Sequence, residues 1–109
     1  MSTLIYVVSK EPVSKSYIPE LNSAAPLINK REVIKRTNKG YRLKLSYCKE
    51  KGVMYLDEHY SFFESYGSAL EYIAAESNRI AGELEEMKLK AMRLMSEAHD
   101  ELRSVQHDN

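Results

Sequence analysis

Between positions 68 and 105 the chain has no proline and a single glycine, Gly82. Through this stretch apolar or small residues recur at alternating steps of three and four: Leu70, Ile73, Ser77, Ile80, Leu84, Met87, Ala91, Leu94 and Ala98. A strict 3.5-residue period holds one stripe against a partner helix over a long distance. The last third of the chain is therefore expected to be one long amphipathic helix built for pairing. At Glu101 the period fails, but Met95, Ala98, Leu102 and Val105 carry it on after a four-residue slip, the mark of a stutter.

Thirty-eight helical residues would extend about 57 Å at ~1.5 Å per residue, well beyond the ~20 Å of a typical strand. A small domain cannot cover such a helix along its whole length. The proximal half, with Ala74 and Ala81 flanking the stripe, is expected to complete the core. The distal half is expected to project or pair through Leu84, Met87, Ala91, Leu94, Met95, Ala98 and Leu102. Leu89 and Met92 lie off this stripe and leave apolar surface on a second side. A second copy of the chain is one cover, giving a homodimer, and a groove on a different protein is another. Parallel and antiparallel pairing are both open, as is a fold-back at Gly82, although one glycine costs only ~1 kcal/mol inside a helix. Ser65 and Ser68 both suit the N-cap. Ser68 is preferred, because Glu71 three residues later completes a capping box.

The preceding residues read as strands. Leu4, Ile5, Tyr6, Val7 and Val8 form a short apolar run suited to burial on both faces. Residues 9–29 hold all three prolines and read as a long loop, with Tyr17, Ile18 and Leu21 pinning it to the core. A strand over residues 30–37 leads to Asn38-Lys39-Gly40, which suits a hairpin turn with positive φ. Tyr41, Leu43, Leu45 and Tyr47 then alternate with Arg42, Lys44 and Ser46, so one face is apolar, directed at the helix, and the other is basic. Residues 48–52 read as a turn and 53–56 as another strand. Residues 57–64 read as a connection whose Tyr60, Phe62 and Phe63 cap the end of the core. The expectation is one α+β domain over 109 residues. A β-rich part over 1–64, a mainly antiparallel sheet of about four strands, precedes a helix over 65–106.

An apolar fraction of 43% with 29% charged residues is that of a folded chain rather than a disordered one. No apolar run approaches the ~20 residues of a membrane span, and the first residues lack the features of a signal peptide. A cytoplasmic protein is expected. Cys48 is the only cysteine, which rules out an internal disulfide, and no signature surrounds it or His59. His99 and Asp100 have no third ligand at helical spacing, His107 lies in the tail, and no phosphate loop or nucleophile motif occurs. No catalytic residue, metal or cofactor is assigned.

The formal net charge is zero but unevenly placed. Residues 1–60 hold eleven Lys or Arg against six Asp or Glu, and residues 61–109 hold five against ten. Lys35, Arg36, Lys39, Arg42 and Lys44, within a basic stretch running from Lys30 to Lys51, are candidates for anion or nucleic-acid contact, with Tyr41, Tyr47 and Tyr55 interleaved. The tyrosines alternate out of phase with Arg42 and Lys44, which favours an ordinary solvated face protected from edge-to-edge association. The acidic run Glu83, Glu85 and Glu86 reads as the wet face of the helix.

The run Glu32-Val33-Ile34-Lys35-Arg36-Thr37-Asn38-Lys39-Gly40-Tyr41-Arg42-Leu43, followed by Phe62-Phe63-Glu64-Ser65-Tyr66-Gly67-Ser68-Ala69-Leu70-Glu71-Tyr72-Ile73, resembles small proteins of phage and prophage accessory regions. In these a β-meander feeds a C-terminal helix through a phrase of the type Phe-x-Ser/Thr-x-x-x-Ala-Leu. The likeness covers about residues 31–100, with Gly67 and Ser68 where an acidic pair would stand, and carries no functional residues across. It implies a class: an inhibitor or adaptor that blocks a host enzyme or defence complex in the host cytoplasm by stoichiometric binding to a protein target.

Overall fold

A computed structural model of the chain describes residues 3–45 and 48–108. Five antiparallel strands and one helix make up the molecule: β1 (Leu4–Ser9), β2 (Asn29–Arg36), β3 (Gly40–Leu45), β4 (Cys48–Leu56), β5 (Tyr60–Phe63) and α1 (Tyr66–Asp108). The sheet runs in the order β4-β3-β2-β1-β5, so β1 lies inside it with neighbours on both sides. This is the α+β arrangement expected, with one more strand.

The extra strand is β5. Residues 60–63 are not a connection but a strand paired with β1, Tyr6 opposite Phe63 and Val8 opposite Ser61, and from it Tyr60, Phe62 and Phe63 pack over the core as expected. Residues 48–52 belong to β4 rather than to a turn, and Gly52 carries the chain through the strand at a φ of +65°. At the β2–β3 turn the expected positive φ is absent, and the hydroxyl of Thr37 closes the turn instead. It accepts from the Lys39 and Gly40 amides and donates to the Gly40 carbonyl. Glycine is needed at position 40 for proximity: a Cβ there would overlap the Tyr55 carbonyl and stand 2.9 Å from Leu56 Cα.

The apolar face of β3 does not meet the helix. Twist and two register shifts, between Val33 and Lys35 and between Leu43 and Leu45, roll the sheet on itself. Its two edge strands approach, although they share no ladder: Tyr55 of β4 packs on Tyr60 of β5 with ring centroids 4.8 Å apart, and Tyr41 of β3 on Phe62 at 4.7 Å. The interior of this open roll is filled by Ile5, Val7 and Leu43, with Val33 and the four rings around them.

The outer face of β1 and β5 carries α1. Val8 and Ile28 pack with Ala69 and Ile73, flanked by Tyr6, Leu27, Phe63, Leu70 and Tyr72. Ring contacts between Phe63 and Tyr72 and between Tyr6 and Tyr66 extend this layer. The Tyr72 hydroxyl donates to the Lys10 carbonyl at 2.6 Å. Residues 10–28 cross this side of the molecule, held by buried Pro12, Val13 and Ile28. Tyr17, Ile18 and Leu21, expected to anchor the loop, are exposed rather than buried in the core; Ile18 and Leu21 line an open groove against α1 instead.

The helix begins three residues earlier than a cap at Ser68 implies. Ser65, not Ser68, is the N-cap: its Oγ accepts the Ser68 amide at 3.1 Å. From Tyr66 the helix runs 43 residues unbroken through Gly82, about 65 Å at ~1.5 Å per residue, which excludes a fold-back there. The last buried side chain is Ile80, Glu83 and Leu84 are half-covered, and every side chain over residues 85–106 is exposed. The molecule is a small head on a bare helical arm, 80 Å in its longest dimension.

Candidate protein interface

Among the described residues, seven of the thirteen exposed large hydrophobics lie on the arm. Met87, Leu89, Met92, Leu94, Met95, Leu102 and Val105 are between 48% and 67% exposed. Of the pairing residues read from the sequence, Leu84 is half-covered at the head's rim, while Met87, Ala91, Leu94, Met95, Ala98 and Leu102 lie beyond it. These fall on the same side of α1 as Ala69, Ile73 and Ile80, since steps of three and four return to one helix face. The stripe that packs on the sheet thus continues, uncovered, to the tip. Leu89 and Met92 add exposed apolar surface away from this stripe, while charged pairs line the helix elsewhere, Arg79 held by Glu76 and Glu83 beside the head and Arg103 by Asp100 on the arm.

The basic candidates do not form one cluster. Lys35 stands opposite Arg42 on the outer face of the sheet, where Lys44 pairs with Glu32 at 3.7 Å and Arg42 donates to the Lys51 carbonyl. Lys39 sits in the β2–β3 turn beside Leu56 and Glu58. Arg36 emerges on the other face, placed there by the register shift in β2. It makes a two-pronged ion pair with Asp57, at 2.8 and 2.9 Å, and lies 4.5 Å over the Tyr41 ring. Tyr41 and Tyr55 turn into the roll, so no ring of theirs shares the face of Lys35, Arg42 and Lys44. Tyr47 lies outside the described residues, as do the side chains of Cys48, Lys49 and His107.

The Arg36–Asp57 pair fastens the β4–β5 connection across the open seam of the roll. Lys10 adds to it, its Nζ donating to the Asp57 carbonyl and its amide to the His59 carbonyl. Bonding to Arg36 holds the Asp57 carboxyl below the usual carboxylate range and raises Arg36 in turn. A carboxylate with a lowered folded-state pKa contributes stability above its unfolded value and loses it as pH falls through the lowered one. The wild type should therefore melt above Asp57→Asn near neutral pH, and the gap should close on acidification into that lowered range. Thermal melts of both chains across pH check this, and a gap independent of pH would show that the pair does not act as described.

Two grooves flank the seam and the arm. One of about 520 Å³ is lined by Arg36, Tyr41, Asp57, Tyr60, Phe62 and Tyr72, with the described polar groups largely engaged in the contacts above. The other, about 370 Å³ and mainly apolar, lies between the 10–28 loop and α1, against Val13, Leu27, Leu70 and Ile73. Among the described residues no three His, Cys, Asp or Glu converge as a metal site, and no helix is long and apolar enough to cross a membrane.

Sequence reasoning located the arm but missed the Arg36–Asp57 clasp. Its partners are 21 residues apart and meet only when the sheet rolls, so no local pattern marks them. No family model matches the chain, and neither a curated protein nor a solved structure matches it.

Proposed function

We propose that this is a non-enzymatic protein-binding factor, an inhibitor or adaptor of the phage type. It acts in the cytoplasm by stoichiometric contact and pairs through the distal half of α1. The observation that carries the reading is the bare stripe from Met87 to Val105, continuous with the face that the head already uses for packing. Long exposed apolar stripes are uncommon on soluble monomers and serve as contact surfaces. The head, with the grooves described above, is left to meet a protein target.

Light scattering of the purified chain tests the pairing. Twice the chain mass is expected at micromolar concentration, falling to a monomer for Leu94→Glu. A monomer at every concentration overturns the proposal. A second reading, nucleic-acid binding through the 30–51 hairpin, is favoured by Lys35, Arg42 and Lys44 sharing one uncovered face. It predicts that charge reversal at these three positions abolishes binding to a labelled single strand, with steep salt dependence before the change. The rings on the opposite face argue for the first reading.

A further inference from the structure

We infer that the partner of the arm is a second copy of this chain running antiparallel, in one register centred between Leu94 and Met95. The inference rests on the pairing proposed above and fixes its geometry.

The spacing of the stripe is itself symmetric. Leu84, Met87, Ala91 and Leu94 are separated by steps of three, four and three, and so are Met95, Ala98, Leu102 and Val105. Read from the tip inward, the second set repeats the first. An antiparallel copy centred on the midpoint sets Leu84 against Val105, Met87 against Leu102, Ala91 against Ala98 and Leu94 against Met95. Large meets large, and small meets small. A two-fold interface demands that one patch complement itself in this way.

The slip that interrupts the heptads, placing Leu94 and Met95 side by side, is the centre of this symmetry. In a single helix it looks like a fault in the repeat. In an antiparallel pair it is the point where the two mirrored halves of the stripe meet.

The head leaves room for one orientation. It stands on the same side of α1 as the stripe, covering that side as far as Leu84. Paired helix axes lie about 8–10 Å apart. A parallel copy would bring both heads to the same end, each inside that gap, where neither fits. An antiparallel copy overlaps the first over residues 84–105, and its stripe ends, at Val105, where the first head begins. The bare length of the arm matches the length this pairing covers.

Charge favours the same register. Lys90 lies on one flank of the stripe, as do Glu97 and Glu101. In the antiparallel register Lys90 of each copy falls between Glu97 and Glu101 of the other, twice over by symmetry. A parallel copy sets each residue level with itself and loses these pairs. The result is a rod with its two heads about 60 Å apart, estimated from ~1.5 Å per residue along the paired helices.

The test is the distance between two spin labels. With Cys48→Ser removing the only native thiol, Gln106→Cys gives one labelling site near each tip. The antiparallel register places the labels about 35 Å apart, against roughly 10–15 Å for a parallel pair. A separation near 35 Å in a chain of dimer mass and unchanged helix content is the expected result. A short separation overturns the antiparallel register and leaves pairing standing, whereas a monomer with no interchain distance overturns both.

Discussion

Truncating Leu43 to alanine should cost the head about 3 kcal/mol, near the low end of measured losses for large buried side chains. Leu43 is wholly buried and stands at the centre of the roll, against Ile5 and Val7 from β1. The lost methyl groups would leave a cavity that the roll cannot collapse around. Its walls are strand backbones held by ladders on either side, and its lid is the Tyr41–Phe62 and Tyr55–Tyr60 contacts. Urea unfolding followed by the near-ultraviolet circular dichroism of the tyrosines measures this directly, since the chain has no tryptophan. In a domain of this size such a loss is a large part of total stability. A cost below about 1 kcal/mol would mean that the roll is not closed over Leu43.

That interior also explains where the sequence was legible and where it was not. The strict alternation of Tyr41, Leu43 and Leu45 with Arg42 and Lys44 identifies β3 and its two faces correctly. It does not say what the apolar face meets. A helix with an apolar stripe is the natural candidate, yet the cover comes from β5, whose pairing with β1 joins residues more than fifty positions apart. Tyr60–Phe63 gave no alternation because both of its faces are covered, Phe62 by the roll and Phe63 by Tyr72 of α1. Three β-forming residues, Tyr60, Phe62 and Phe63, between Glu58-His59 and Glu64-Ser65 were the available signal, too short to separate a strand from an aromatic cluster.

The helix was the most legible element, because its period is a local property carried by every residue. Its start was less so. Ser65 and Ser68 are both good caps, and the choice depends on backbone direction out of β5, which the sequence leaves open. The division of the helix into packed and bare halves followed from length alone, since strands of ~20 Å cannot cover a helix of about 57 Å.

The antiparallel register makes its sharpest prediction through charge. Met87→Glu alone should dissociate the dimer, because two carboxylates would replace two methionines in layers built from Met87 and Leu102, each facing an apolar side chain with no partner. Adding Leu102→Lys to the same chain should restore association in part. In the antiparallel register each new carboxylate faces the new ammonium of the other copy. A parallel pair would set carboxylate against carboxylate and ammonium against ammonium, and the double variant would be worse than the single one. The rescue should be incomplete, since a partly buried ion pair recovers only some of what apolar packing supplies. It should also weaken in high salt as the charges are screened. Positions 87 and 102 are fifteen residues apart along the helix, too far for the two substitutions to compensate each other within one chain. Sedimentation equilibrium of the wild type, the single variant and the double variant therefore separates the two registers by the sign of one change. Association of the double variant no stronger than that of Met87→Glu alone would remove the antiparallel pairing from consideration.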